Sequence, residues 1–232
     1  MSLVSSVRKI LVPINREGYP FLAIAGAATL IALIWIKALF WPLLIITAWV
    51  AYFFRDPLRV TPVRDGLVIS PADGVVSQIA NVLPPPELGL ANHSLLRVSI
   101  FMNVFDCHVN RSPITGTITK IAYKPGKFLS ADLDKASDDN ERNGFIIDTG
   151  TVKYGVVQIA GLVARRIVCW TNENGHVAVG QRLGMIRFGS RVDVYLPEGV
   201  RPQVGIGQKM VAGETILADA SAAMPHLTHR IG

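Results

Sequence analysis

Cysteine, histidine and charged residues are all scarce in this chain. Among its 232 residues there are two cysteines and five histidines, and only 17% of the residues are charged. Two cysteines give no disulfide framework and indicate a reducing compartment. The histidines lack metal-ligand spacing, so we expect no metal site. The net charge of +6 is not organised in basic runs with interleaved aromatic residues, so it favours an anionic membrane surface over a nucleic acid as partner.

One long, almost wholly apolar stretch covers residues 19–54, and Lys37 interrupts it. One helix of that length would extend about 54 Å, whereas the hydrocarbon core of a bilayer is about 30 Å thick. We therefore predict two helices that turn near Lys37 and Pro42. Basic residues flank both ends of the stretch, which favours a hairpin with both ends in the cytoplasm. Each half is short for a span, so helices lying in the membrane interface are an alternative.

The chain is accordingly divided into a basic N-terminal arm over residues 1–18, a membrane-anchoring helical hairpin over 19–54 and a β-rich domain over 55–232. Short apolar or alternating runs separated by glycine and proline predict the strands of that domain. They cover residues 67–69, 74–79, 95–102, 114–123, 145–147, 152–159, 166–170 and 185–196. A weak repeat relates residues 177–183 to 204–210. This pattern resembles the barrel-sandwich hybrid of lipoyl and biotinyl carriers, so we expect a mostly β, double-layered sheet domain.

Two clusters of residues in the first half of this domain could carry chemistry. The first is Ser-Pro-Ala-Asp-Gly at residues 70–74, which alone is typical of a turn because Asp-Gly is a strong turn signal. The second covers residues 105–113; if it is extended, Asp106 and His108 share one strand face and Cys107 lies on the other. An aspartate and a histidine on one face could tune an acid-base imidazole, or could simply be a solvated strand end. Cys107 is expected to be buried packing.

The third cluster is the dipeptide Gly189-Ser190, at the start of an alternating strand. Alternation puts Ser190 on the same face as Val192 and Val194, so its hydroxyl is predicted to point inward. Such a hydroxyl is either a satisfied polar group at a strand start or a nucleophile aimed at the preceding carbonyl. Because Gly-Ser pairs are common, the dipeptide alone does not decide between the two.

Together and in this order, the three clusters resemble the phosphatidylserine decarboxylases, most closely the short form with a Phe-Gly-Ser-Arg processing site. The resemblance extends to Asn-Glu-Arg at residues 140–142 and to residues 187–197. It implies self-cleavage between Gly189 and Ser190 into chains 1–189 and 190–232, with Ser190 converted to a covalent pyruvoyl cofactor. It also implies that phosphatidylserine forms a Schiff base with that group, loses CO2 and leaves as phosphatidylethanolamine.

The same resemblance suggests roles for four further residues, which we state as hypotheses. Asp73, with His108 nearby, would activate the Ser190 hydroxyl, and His108 would protonate the product. Arg142 or Arg111 would bind the phosphodiester of the substrate. Many long-form members carry a second histidine at the position of Arg111, so His108 would have to serve both maturation and turnover here.

The partners implied are a phospholipid substrate, the inner membrane with the catalytic domain facing the cytoplasm, and as an open option a second copy of the chain. Four alternatives stay open from the sequence. They are a decarboxylase of an ether-linked archaeal phosphatidylserine, a non-enzymatic membrane-anchored binding module of the same fold, a carrier modified at Lys209 and a phosphohistidine carrier that uses His108.

Overall fold

The computed structural model describes residues 12–126, 139–161, 166–187 and 190–221. The chain forms two compact units, Met1–Leu58 and Arg59–Gly232.

The first unit contains a helical hairpin. After a short 3-10 turn at Arg16–Gly18, helix α1 covers Tyr19–Trp35 and helix α2 covers Lys37–Phe53. At about 1.5 Å per residue, each helix is roughly 25 Å long. The segment Arg16–Trp35 is long and apolar enough to cross a membrane, with a mean hydropathy of 1.7, whereas Lys37–Phe53 is shorter. The predicted pair of helices is confirmed.

The two helices contact each other through a polar pair in an otherwise apolar surface. The hydroxyls of Thr29 and Thr47 lie 2.9 Å apart, and each hydroxyl also lies within hydrogen-bond distance of the carbonyl one turn earlier in its own helix. The chain turns at Ile36, whose ψ of 68° ends the first helix. Pro42 was expected near the turn but lies inside α2. A proline this close to a helix start removes one backbone hydrogen bond, which the remaining turns tolerate.

The second unit is built from strands. In chain order they are β1 (Leu67–Ile69), β2 (Gly74–Val82), β3 (Leu95–Met102), β4 (Val109–Arg111), β5 (Gly116–Lys124), β6 (Arg142–Asp148), β7 (Lys153–Ala160), β8 (Arg166–Cys169), β9 (His176–Val177), β10 (Arg182–Arg187), β11 (Ser190–Leu196), β12 (Arg201–Pro202), β13 (Lys209–Met210) and β14 (Ile216–Asp219).

These strands form one large antiparallel sheet and two small ones. The large sheet has the order β13-β2-β3-β11-β7-β6-β5-β9, and the small sheets have the orders β1-β14-β12 and β4-β10-β8. Inward side chains from the large sheet, such as Val98 and Val192, share one buried cluster with Leu183 and Leu217 from the small sheets. The opposite face of the large sheet carries a second cluster, over which Leu88 packs. The predicted mostly β, double-layered architecture is confirmed.

The weak sequence repeat corresponds to two turns with the same hydrogen bonds. In the first, the Gln181 side chain accepts from the backbone N–H of Ala178 at 3.0 Å, and in the second the Gln208 side chain accepts from Gly205 at 3.1 Å. The backbone N–H of each glutamine donates to the carbonyl of the same partner. The repeat therefore reflects a local structure that the domain uses twice.

Candidate active site

Ser190 starts β11 and lies at one end of the large sheet, between two neighbouring strands. It pairs with Met102 on β3 and with Ala160 on β7. Its side chain is fully buried, and its Oγ has no hydrogen-bond partner among the residues that the structure describes. Met102, Ala160 and Val192 belong to the core between the sheets, so the hydroxyl faces inward as alternation predicted. Leaving a buried hydroxyl unsatisfied costs about 1–3 kcal/mol.

The alternating run predicted over residues 185–196 is two strands and not one. β10 ends at Arg187 in a three-stranded sheet, and β11 starts at Ser190 in the large sheet. Gly189, the other half of the predicted cleavage site, lies outside the described residues. The alternation continues through both strands, so the pattern does not reveal that the chain changes sheet here. The Gly-Ser dipeptide therefore falls where the chain passes from one layer to the other.

The turn at residues 70–74 lies at the same end of the large sheet as Ser190. Gly74 begins β2 with a φ of 134°, and a Cβ there would overlap the carbonyl oxygen of Phe101 and lie 3.3 Å from Met102 Cα. Only glycine allows this close approach of two strands. Because Met102 also pairs with Ser190, this turn and the serine are about two strand spacings apart, or roughly 10 Å.

Asp73 occupies this turn and is held by charge and by the backbone. Its two carboxylate oxygens accept from Arg59 Nη2 at 3.0 and 2.8 Å, and one of them also accepts from the N–H of Ala212 at 2.8 Å. Among the described residues it makes no hydrogen bond to His108 or Ser190. The carboxylate is therefore oriented by Arg59, a residue that the sequence analysis did not single out.

His108 is fully buried beside the strand that leads to the Gly-Ser dipeptide. Its Nδ1 lies 3.0 Å from the carbonyl oxygen of Asp106, which can only accept, so Nδ1 carries the proton of this contact. Its own carbonyl accepts from the N–H of Ile186 at 3.3 Å. An imidazole oriented in this way presents Nε2 for acid-base chemistry.

The chain before His108 is not extended, contrary to the sequence-based expectation. The N–H of Asp106 donates to the carbonyl of Asn103 at 3.0 Å, and the carboxylate of Asp106 accepts from the N–H of Asn103 at 2.9 Å. Asn103 and Asp106 thus close a turn, and β4 begins only at Val109. The idea that Asp106 and His108 share a strand face was wrong, because asparagine and aspartate favour such turns over a strand. Cys107 is buried, as predicted.

Arg111 connects the second cluster to the first. Its backbone N–H donates to the carbonyl of Pro71 at 2.9 Å, and its buried guanidinium donates from Nη1 to the carbonyl of Gly180 at 2.9 Å. The structure therefore brings the 70–74 turn, the 105–113 segment and Ser190 to one end of the domain.

Arg142 lies two strands from Ser190, on β6. It pairs with Ile159, and the neighbouring Ala160 pairs with Ser190, so alternation places the Arg142 side chain on the face opposite the serine hydroxyl. Its guanidinium forms an ion pair with Glu87. Burial acts to raise the pKa of Glu87, but the hydrogen bond and the charge of Arg142 outweigh it, so this pKa lies below its usual value.

A chain of buried amides also approaches Ser190, and the sequence analysis missed it. Asn143 Nδ2 donates to Gln158 Oε1 at 3.2 Å, and Gln158 Nε2 donates to Asn110 Oδ1 at 2.8 Å. Asn110 Nδ2 then lies 3.6 Å from the sulfur of Met102, the residue opposite Ser190. The position of Gln158 was a usable signal, since it shares an inward strand face with Tyr154 and Val156 in the sequence.

The site thus has a buried serine hydroxyl, a buried imidazole and an ion-paired carboxylate at one end of the domain, with the serine where the chain changes sheets. These are the groups that acyl transfer within a chain needs, a nucleophile and acid-base residues in a place that excludes water. Fold and site together fit the class of proenzymes that process themselves at an internal serine.

Comparisons with known proteins agree with this class. The family model described as phosphatidylserine decarboxylase matches residues 46–218. The chain is 57% identical over 233 residues to a phosphatidylserine decarboxylase proenzyme of Beijerinckia indica, with all of both chains covered. It is 60% identical over 228 residues to one of Xanthobacter autotrophicus, with 98% of both chains covered. This chain belongs to the phosphatidylserine decarboxylase family.

Proposed function

We propose that this chain is a proenzyme that cleaves itself between Gly189 and Ser190 and then converts phosphatidylserine to phosphatidylethanolamine and CO2. The observation that carries the proposal is the hydroxyl of Ser190, buried at the start of β11 with no hydrogen-bond partner among the described residues. In a chain of this family, a nucleophile explains this hydroxyl better than core packing does, because it is buried without a partner directly after Gly189 in the sequence, where the chain leaves β10 for β11.

Self-cleavage begins when Ser190 Oγ attacks the carbonyl carbon of Gly189 and the peptide nitrogen takes up a proton, which turns the amide into an ester. Loss of the Ser190 Cα proton then forms a double bond between Cα and Cβ and breaks the Cβ–Oγ bond, so that Gly189 leaves as a carboxylate that keeps Oγ. The dehydroalanine that remains gains water and loses ammonia, which gives the pyruvoyl group at the start of chain 190–232. Because Ser190 is buried in the uncut chain, the water that adds to the dehydroalanine must reach it after the chain has been cut.

Asp73 and His108 are the candidates for the proton transfers of this sequence. His108 is supported by its burial and by the contact of Nδ1 with the Asp106 carbonyl, which keeps the proton on Nδ1 and makes Nε2 the basic nitrogen of the ring. Asp73 is supported by its place at the same end of the sheet, where it would act through the electrostatics and orientation of the site. Since Arg111 stands in place of a second histidine, one imidazole serves both maturation and turnover in this scheme.

The residues around Ser190 fit the pyruvoyl group. Conversion to this small planar ketone removes the serine hydroxyl, which is buried without a partner among the described residues. When formed, that group supplies a ketone that binds the substrate amine and accepts the electron pair left by CO2. His108 would then deliver a proton to the substrate Cα. Arg142 and Arg111 are the candidate ligands of the phosphodiester, of which Arg142 would have to act from the face of the sheet opposite Ser190. Each would exchange a protein partner, Glu87 or the Gly180 carbonyl, for the phosphate.

The apolar hairpin would keep this domain at the inner membrane, with the catalytic domain in the cytoplasm. Support comes from the apolar segment Arg16–Trp35 and from basic residues on both sides of the hairpin. Anchoring raises the effective concentration of a headgroup that is itself confined to the bilayer. Association with a second copy stays a prediction.

The test compares two serines that differ in role but not in burial. Ser99 is also fully buried in the large sheet, and its Oγ likewise lacks a partner among the described residues. Ser190→Ala should give one uncut chain that releases no CO2 from phosphatidylserine vesicles, whereas Ser99→Ala should be cut and active. An Ser190→Ala chain that is both cut and active would disprove the proposal.

A further inference from the structure

Arg59, the first residue of the β-rich unit, is bound to the candidate maturation aspartate. Its Nη2 lies 3.0 and 2.8 Å from the two carboxylate oxygens of Asp73, and the side chains are 13% and 14% exposed. Asp73 follows Arg59 by 14 residues, across β1 and a turn, so the pair is a tertiary contact. An ion pair this well buried is far less screened than a surface pair.

The two residues after Arg59 are also fixed in place. The N–H of Val60 donates to Glu214 Oε1 at 3.2 Å. Thr61 fills space that Gly180 leaves open, since a Cβ on that glycine would lie 2.9 Å from Thr61 Cγ2 and 3.0 Å from Thr61 Cβ. We call residues 59–61 the connector, because in the sequence they lead directly out of the unit that holds the apolar hairpin.

The connector is also packed against the turn that orients Asp73. Gly213 follows Ala212, whose N–H is the other donor to Asp73. A Cβ on Gly213 would lie 3.4 Å from Arg59 Cβ, 3.5 Å from Thr61 Oγ and 2.9 Å from Arg111 Cδ. The connector, Asp73 and Arg111 therefore form one packed group, at the end of the sheet that carries Ser190.

We propose that Arg59 is a positioning residue for self-cleavage: it holds the Asp73 carboxylate in a fixed orientation, so that the connector is part of the processing site. The inference rests on the proposed function, in which Asp73 assists cleavage before Ser190. Without Arg59, Asp73 retains only the N–H of Ala212 as a donor among the described residues, and its carboxylate gains freedom to rotate. The segment that leaves the hairpin thereby influences maturation without touching the serine.

The experiment measures the rate at which the newly made full-length chain is cut, by pulse-labelling and gel separation of chains 1–189 and 190–232. Arg59→Ala should be cut at least about tenfold more slowly than the unmodified chain, because a buried charge-assisted contact is lost. Arg59→Lys should recover most of the rate, and millimolar guanidinium should accelerate cleavage of Arg59→Ala. A merely structural contact would not respond to either form of charge rescue.

Arg64→Ala is the matched control. Arg64 lies five positions further along the same stretch and also forms an ion pair with an aspartate, Asp219. Its loss removes the cation from a buried aspartate, as Arg59→Ala does, but Asp219 lies outside the processing site, so the cleavage rate should stay within about twofold of the unmodified chain. Asp73→Asn should be as slow as Arg59→Ala, and the double variant should be no slower than either, since paired residues that act as a unit are not additive.

Three results would overturn the inference, and they are separable from failure of the proposed function. Cleavage of Arg59→Ala at the unmodified rate would remove Arg59 from the site. Multiplied defects in the double variant would show that Arg59 and Asp73 act independently, and a slow variant that neither lysine nor guanidinium rescues would assign Arg59 to folding alone. An unmodified chain that is not cut between Gly189 and Ser190 would instead refute the proposed function itself.

Discussion

Substituting Gln158 tests how much the chain of buried amides near Ser190 contributes to the stability of the folded domain. This side chain is fully buried and makes two hydrogen bonds, accepting from Asn143 at 3.2 Å and donating to Asn110 at 2.8 Å. Gln158→Leu keeps much of the volume but removes both bonds. It leaves two buried polar atoms, Asn143 Nδ2 and Asn110 Oδ1, without these partners. At about 1–3 kcal/mol for each unsatisfied group, the free energy of unfolding should fall by about 2–6 kcal/mol.

The assay is guanidinium unfolding of the β-rich unit in the detergent-solubilised full chain, in an Ser190→Ala background so that every molecule is uncut. Gln158→Met should be destabilised by a similar amount, which would exclude side-chain shape as the cause. Asn143→Leu should lose about half as much, since it strands only Gln158 Oε1. A Gln158→Leu chain whose stability lies within about 0.5 kcal/mol of its parent would refute this account, because that is the size of a neutral surface change.

Two further predictions follow from charged and titrating groups. If Arg142 binds the phosphodiester, Arg142→Gln should raise KM for phosphatidylserine about tenfold or more with little change in kcat, measured on mature enzyme, and Glu87→Gln should not raise it; a fall in kcat alone would contradict that role. Burial and the Asp193 carboxylate raise the pKa of Tyr195 to about 12. The folded chain thus holds more protons than the unfolded chain between pH 10 and about 12, so stability should fall as pH rises through that window, by about 3 kcal/mol from this group. Tyr195→Phe should flatten that part of a stability-versus-pH curve, and an unchanged curve would exclude Tyr195 as its source.

The strands and helices that were predicted correctly are those that a local pattern of apolar residues in the sequence reveals. The alternating runs located β3 at Leu95–Met102 and β11 up to Leu196, because one face of each strand is buried in the core. The apolar stretch gave two helices, since its length exceeds one span. The inward position of Ser190 followed from the same alternation, and its burial is complete.

What the sequence could not predict depends on contacts between distant segments. The change of sheet between Arg187 and Ser190 leaves the alternation unbroken, so no period-based argument can find it. Arg59 is one basic residue among several that flank the hairpin, and only the fold pairs it with Asp73. The turn that ends at Asp106 was missed because residues 105–108 also fit an extended strand, whereas Asn103 supplied a turn signal that could have been used.

The mass of the denatured, purified full chain tests the central claim most directly. The account predicts two fragments that divide between Gly189 and Ser190, with the smaller one blocked at its start and lighter by one ammonia than the same fragment beginning with serine. A single intact chain in a preparation that decarboxylates phosphatidylserine would contradict the account. So would a cut at this bond that leaves an ordinary serine amino terminus.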